Sequence, residues 1–141
     1  MFGTAEAQGF LADAFAPWVQ ALDLRVDQIT PEGLAVLSMP VTARIARMGG
    51  IVCGQSLATL ADTAMVFSTA AHFGQPRDVA TTNLDTQFLS AARGERIRCE
   101  ARIIRAGRSL IFCTASLTAL PDGRPVASAT ATFFVPQQEA R

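Results

Sequence analysis

The sequence contains no lysine and no tyrosine, and it has one histidine and three cysteines in 141 residues. The cysteines are Cys53, Cys99 and Cys113, which lie far apart and are odd in number. This spacing fits neither a metal site nor a redox motif, so we predict no metal site. Free thiols are typical of the reducing cytoplasm, and we therefore expect a cytoplasmic protein.

The charged residues are balanced, with 12 arginines against 12 acidic residues and a formal net charge of zero. A neutral chain argues against a general nucleic-acid binder. No apolar run approaches the roughly 20 residues of a membrane-spanning helix. The N-terminus lacks a basic region followed by an apolar one, so it predicts no secretory signal. We expect neither a nucleic-acid nor a membrane partner.

The length predicts one domain over residues 1–141, large enough for its own core. Half of the residues are hydrophobic and the mean hydropathy is +0.27, which is high for a soluble monomer and suggests buried subunit interfaces. A helix is predicted over residues 5–22, kinked or divided at Pro17, and two strands over residues 23–29 and 33–40. A loop over residues 41–50 should lead into a long central helix, which the Gly/Pro segment 74–77 ends.

Alternating apolar residues predict four more strands over residues 81–89, 95–105, 109–120 and 125–135, with a bulge or strand end at Ile103–Ile104. Short turns separate these strands, and we interpret them as an antiparallel meander. The central helix is too apolar to face solvent, and a sheet curling round it would cover it. The fold class is therefore α+β, with an antiparallel sheet wrapped around a long central helix.

Asp62 is the unusual residue of the central helix. The nearest ionised residues in sequence are Arg47 and Arg77, and no arginine lies three or four positions away. An unpaired carboxylate in apolar surroundings costs several kcal/mol or has a raised pKa. Asp62 is therefore either capped or paired by another part of the fold, with Arg47 as a candidate, or it faces a cavity and has a chemical role.

The start of this helix is rich in glycine, with Gly49 and Gly50 upstream and Gly54 at the predicted first turn. The first N–H groups of a helix have no partner within the helix, and the positive end of its dipole lies there. Such an end can hold a carbonyl oxygen that becomes negative during a reaction. One helix could therefore offer an oxyanion donor near Gly54 and a general base at Asp62.

Three segments resemble the hot-dog fold acyl-CoA thioesterases of the phenylacetate-degradation type, in the 4-hydroxybenzoyl-CoA thioesterase superfamily. They are GGIVCGQSLATLADTAM on the central helix, TTNLDTQFLSAARGE, and RAGRSLIFCTASL followed by DGRPVASATATFFV. The resemblance covers residues 36–135. It implies a hydrolase that cleaves an acyl-CoA thioester to the free acid and CoA. It implies a homodimer, usually paired into a homotetramer, with shared active sites and no cofactor beyond the CoA of substrate and product.

The resemblance also assigns roles to particular residues. It makes Asp62 the general base or nucleophile, and it makes the N–H of Gly54 the donor that polarises the thioester carbonyl. Thr81 matches a Ser/Thr near the carboxylate that relatives contribute across the dimer interface. The positions implied to line the CoA tunnel or to hold the nucleotide are Asn83, Phe88, Arg105, Gly107, Arg108 and Ser109.

Three positions depart from the family pattern and remain candidate substrate contacts. Cys53 stands where the family commonly has His, Gln55 where it has a second Gly, and Arg47 near an Asn or Gln that helps to hold the attacking water. Cys53 fits a small buried residue. These departures leave an alternative function open, a non-catalytic module that binds an acyl-CoA or acyl ligand. The arginines of residues 93–108 are either a solvated strand face or a phosphate contact.

Overall fold

The computed structural model describes residues 1–137, so the last four residues of the predicted domain lie outside the described part. These described residues contain three helices: α1 (Thr4–Ala14), α2 (Pro17–Gln20) and α3 (Gly54–Phe73). The eight strands are β1 (Arg25–Ile29), β2 (Ala35–Pro40), β3 (Ala46–Arg47), β4 (Ile51–Val52), β5 (Ala80–Phe88), β6 (Arg96–Ala106), β7 (Leu110–Leu120) and β8 (Arg124–Phe134). The predicted division of the first helix at Pro17 is confirmed, because Pro17 is the first residue of α2.

Six strands form one antiparallel sheet in the order β1-β2-β6-β7-β8-β5, and β3 and β4 form a separate two-stranded ladder. Helix α3 packs against one face of the large sheet. We call this the inner face; it carries the buried side chains that alternate along β6, β7 and β8. This arrangement confirms the predicted α+β fold. Among residues 1–137, no helix is long and apolar enough to cross a membrane.

The predicted four-strand meander is wrong at its first strand. Strands β6, β7 and β8 follow one another as a meander, but β5 pairs with β8 instead of β6. The other side of β6 is taken by β2, with Ala35 opposite Ala101. Alternation along a strand predicts which face is buried, but it carries no information on the neighbouring strand. The bulge predicted at Ile103–Ile104 is confirmed by a shift of register between Ile103 and Arg105.

The predicted loop over residues 41–50 also needs correction, because its last part forms a small hairpin. Arg47 in β3 lies opposite Ile51 in β4. The turn between them is closed by a hydrogen bond from the N–H of Gly50 to the carbonyl of Arg47 at 3.0 Å. Gly49 and Gly50 have φ values of 87° and 74°, which other residues rarely adopt. The glycines therefore allow the hairpin that precedes α3.

Helix α3 begins at Gly54, as the sequence predicts, and ends where Gly74 takes the left-handed conformation with φ 77°. Leu60, Ala61, Ala64, Met65 and Phe67 are fully buried along the helix. Most of this buried stripe faces the sheet, whereas Phe67 packs against Phe2 and Phe15 of the N-terminal segment. Together these contacts fix the rotation of the helix about its axis. Asp62 is placed beside the stripe and faces the edge strand β5.

Candidate active site

Asp62 is half-buried on the flank of α3 that faces β5. The hydroxyl of Thr81 in β5 donates a hydrogen bond to its Oδ1 at 3.0 Å. Burial raises the pKa of Asp62 above the ordinary value of an aspartate, and the hydrogen bond from Thr81 opposes part of that rise. The site therefore holds a carboxylate that costs free energy to ionise and that is oriented by one hydroxyl.

Asp62 has no cationic partner within the described part of its own chain. The ion pairs of residues 1–137 join Arg25 to Asp27 and join Glu100 to two arginines. Pairing of Asp62 with Arg47, the structural alternative from the sequence, does not occur within one chain. The carboxylate is thus free to meet a substrate, a water molecule or a second protein chain.

The start of α3 is open. Cys53 precedes the helix in an extended conformation, and it makes no side-chain capping hydrogen bond. Its thiol lies 3.4 Å from Oγ of Ser56, which donates instead to the carbonyl of Cys53 at 2.9 Å. The N–H groups of the first turn, including that of Gly54, are therefore available to an outside acceptor. Gln55 is exposed on this turn.

Phe88, the last residue of β5, lies against Gly54. A Cβ atom at position 54 would lie 3.1 Å from Cζ of Phe88. Phe88 is 57% exposed despite this contact. Because Gly54 has no side chain, the ring of Phe88 can lie directly against the backbone at the start of α3.

A cavity of about 380 Å³ opens beside Gly54 and Phe88. Its other walls come from the β3–β4 hairpin, from Leu57 of α3 and from residues 89–92 after β5. Arg47 is the charged residue among those that line it in the described chain, and Asp62 is not among them. Within one chain, Gly54 and Asp62 therefore belong to the same helix, but Gly54 lines the cavity and Asp62 does not.

The predicted nucleotide contacts lie elsewhere in the same chain. The turn between β6 and β7 carries Gly107 to Ser109, and it lies beside the end of β8, where Leu110 pairs with Phe134. Phe134 in turn pairs with Ala80, the first residue of β5. Phe88 is eight residues further along β5, a distance of roughly 26 Å in an extended strand. One chain therefore does not bring this turn close to Gly54.

The remaining predicted contacts are also separated. Asn83 pairs with Thr132 and lies on the outer face of the sheet, away from α3. Arg98 and Arg102 both pair with Glu100 on that outer face. These two arginines of the basic segment therefore form the solvated strand face that the sequence offered as one alternative. Arg105 and Arg108 are both exposed and lie at or next to the turn between β6 and β7.

Residues 89–92 also line the cavity, although no candidate site residue was predicted there from the sequence. Leu89 and Ala92 line the cavity because the connection from β5 to β6 folds back over the start of α3. The N–H of Val52 donates to the carbonyl of Ala92 at 2.9 Å and fixes this connection to the β3–β4 hairpin. In the sequence, this part of the cavity wall could have been recognised from the small residues Ser90, Ala91 and Ala92, which follow closely after Phe88.

The chain belongs to the thioesterase superfamily, whose sequence profile matches residues 49–126. It is similar in structure to a thioesterase family protein of Silicibacter pomeroyi, with 27% identity, coverage of 96% of this chain and 100% of that one, and a TM-score of 0.83. Among curated proteins, none matches the sequence.

Two further solved structures share the fold. A hypothetical thioesterase of Streptococcus pneumoniae, solved with coenzyme A, is 21% identical with a TM-score of 0.78, and the match covers 94% of this chain and 98% of that one. The PaaI protein of the phenylacetic acid degradation operon of Escherichia coli is 20% identical with a TM-score of 0.79, covering 95% and 96%. The hot-dog thioesterase fold implied by the sequence is thus confirmed.

Proposed function

We propose that the protein is an acyl-CoA thioesterase in which Asp62 acts as general base or nucleophile and the N–H of Gly54 binds the thioester oxygen. The observation that carries this proposal is the half-buried carboxylate of Asp62. It has no cationic partner among residues 1–137, and Thr81 orients it. Coenzyme A in the structural neighbour from Streptococcus pneumoniae supports an acyl-CoA as substrate.

The chemistry follows from these two groups. The thioester carbonyl accepts a hydrogen bond from Gly54, and Asp62 takes a proton from a water molecule that adds to the carbonyl carbon. The carbon–sulfur bond then breaks, CoA leaves as the thiolate and takes up the proton, and the free acid remains. A general base is worth about 10²–10⁴-fold and an oxyanion donor about 10²–10³-fold in rate. We expect no cofactor, because water and a carboxylate are sufficient.

We also propose that two chains complete each site. Strand β5 lies at the edge of the sheet and its residues are exposed, apart from the partly covered Thr86. It is nine residues long and contains neither lysine nor proline. The opposite edge strand β1 has five residues, a register shift and the charged pair Arg25–Asp27, which are features that discourage pairing. Strand β5 is therefore the edge that a second copy can extend.

Antiparallel pairing over the full length of β5 would place the two-fold axis at Leu84, the middle residue of the strand. Antiparallel pairing of β5 with itself about Leu84 would place Ala80 opposite the partner's Phe88. Asp62 and Thr81 of one chain would then lie beside Gly54 and Phe88 of the other. The β6–β7 turn lies two strands from Ala80, about 10 Å away, so it would flank the same site. Such a dimer brings together groups that one chain keeps apart.

A thiol-release assay over a panel of acyl-CoA esters tests the proposed reaction. Wild-type protein should release CoA, and Asp62→Asn should lower kcat by about 10²–10⁴-fold while the thermal unfolding profile stays wild-type-like. An Asp62→Asn variant with near-normal turnover would exclude the assigned role. Binding of an acyl-CoA by calorimetry without any release of thiol would instead favour the non-catalytic binding module, which the altered residues Cys53, Gln55 and Arg47 leave open.

A further inference from the structure

Arg47 is the charged residue on the wall of the cavity beside Gly54. Within the described chain its guanidinium forms no ion pair, and no carboxylate lines the cavity. Asp62, two turns further along α3, has no cationic partner in the part of the chain that the structure describes. Each chain thus carries one unmatched cation and one unmatched, half-buried anion in the region where the proposed site forms.

The backbone of Arg47 is held in place. Its carbonyl accepts the hydrogen bond that closes the β3–β4 turn, and it lies opposite Ile51. The guanidinium of Arg93 donates to the carbonyl of Gly49 at 3.4 Å and ties the tip of the hairpin to the β5–β6 connection. The side chain of Arg47 therefore starts from a fixed point on the cavity wall.

We propose that Arg47 of each chain pairs with Asp62 of its partner across the dimer two-fold and holds that carboxylate beside the thioester. This inference rests on the proposed dimeric site, in which Asp62 arrives next to the partner's Gly54 and Phe88. Gly54 and Phe88 line the same cavity as Arg47, so the partner's Asp62 would come within reach of one arginine side chain. Arg47 acts through Asp62 and is a positioning residue.

Within residues 1–137 of its own chain, the other groups around Asp62 are neutral. Thr81 faces it from β5, and the sheet presents apolar side chains and the buried thiol of Cys113 to α3. The charged residues of β6 lie on the outer face. The partner's Arg47 is then the cation that offsets the free-energy cost of burying the ionised carboxylate of Asp62. A cation in an ion pair with Asp62 favours the ionised carboxylate, so the pair would keep the general base ionised to lower pH.

The pH dependence of kcat/KM for hexanoyl-CoA tests the pair, with Arg47→Gln against Arg44→Gln as the matched control. Arg44 is exposed, and its guanidinium donates a hydrogen bond to the carbonyl of Ala21 at 3.3 Å. The control removes the same charge from a neighbouring residue that does not line the cavity. We expect the acidic limb of the Arg47→Gln profile to lie about one pH unit above that of wild type. The profiles of Arg44→Gln and Arg47→Lys should follow wild type. Superposition of the Arg47→Gln and wild-type profiles overturns the inference and leaves the proposed hydrolysis intact.

A second measurement does not depend on turnover. The dimer dissociation constant is determined by sedimentation for wild type, Arg47→Gln, Asp62→Asn and the double variant. If Arg47 and Asp62 pair, the dimer dissociation constant of the double variant should rise no more than that of either single variant. If the two single-variant increases multiply in the double variant, the inference is overturned. If wild-type protein released no thiol from any ester, the proposed function would fail, and this cycle would still decide whether the two residues meet.

Discussion

The hydroxyl of Thr81 reaches from the edge strand β5 to Oδ1 of Asp62 on the central helix, at 3.0 Å. It is the hydrogen bond that links the candidate base to the sheet. The bond favours the ionised carboxylate, whereas burial favours the protonated form, and burial is the larger effect. The pKa of Asp62 is therefore raised, and Thr81 limits the rise.

Replacing Thr81 by valine should raise the pKa of Asp62 further, because it removes the hydrogen bond to the charged form. The acidic limb of kcat/KM should move to higher pH, and kcat should fall by about tenfold. Thr82→Val is the matched control, since the hydroxyl of Thr82 donates to the carbonyl of Thr132 at 3.1 Å. Equal profiles for the two variants would show that Thr81 does not act on Asp62.

Gly54→Ala should crowd the start of α3 without removing its N–H group. The added Cβ would lie 3.1 Å from Cζ of Phe88, so the ring must shift by a few tenths of an ångström. We expect kcat/KM to fall by roughly tenfold or more, and Gly54→Ala/Phe88→Leu to recover part of the loss. Gly9→Ala in α1 is the control, because a Cβ there meets nothing within 4 Å. Unchanged kinetics in Gly54→Ala would mean that this contact does not shape the site.

The three free thiols should differ in reactivity. Cys99 and Cys113 are fully buried, which raises the pKa of both and brings that of Cys113 to about 12. Cys53 is half-buried beside Gly54. Ellman's reagent at about pH 8 should label one thiol per native chain and three after unfolding, and Cys53→Ser should abolish the native signal.

The same labelling reports on the site. In the Asp62→Asn variant, which should release little CoA thiol, a bound acyl-CoA should slow the reaction of Cys53, because Cys53 directly precedes the proposed oxyanion donor. Labelling of Cys53 at the same rate with and without saturating acyl-CoA would place the thioester elsewhere. Cys53→Ser also removes the protein's own background from the thiol-release assay.

The central helix and Asp62 could be predicted because both depend on local pattern. The apolar spacing predicts α3, and the absence of a nearby arginine marks Asp62 as unusual. The neighbour of β5 could not be predicted, because the alternation of its side chains is compatible with pairing to either β6 or β8. The cavity wall at Leu89 and Ala92 arises only when the β5–β6 connection folds over the start of α3.

The proposed dimeric site, which combines Asp62 of one chain with Gly54 of the other, can be tested by mixing two inactive variants, Asp62→Asn and Gly54→Val. The second adds a larger side chain against Phe88. In a hybrid dimer, Asp62 comes from the Gly54→Val chain and Gly54 from the Asp62→Asn chain, so one of the two shared sites is intact. Random assembly of equal amounts makes half of the dimers hybrid, so refolded mixtures should recover about a quarter of wild-type activity.

Each variant refolded alone should stay inactive and dimeric by sedimentation, which separates complementation from simple refolding. If Gly54 and Asp62 of the same chain acted together, every chain in a hybrid would carry one defect, and mixing would restore nothing. Recovery therefore requires that the base and the oxyanion donor come from different chains, as pairing of β5 about Leu84 predicts. The result decides between a site within one subunit and a site shared by two, independently of which acyl group the enzyme prefers.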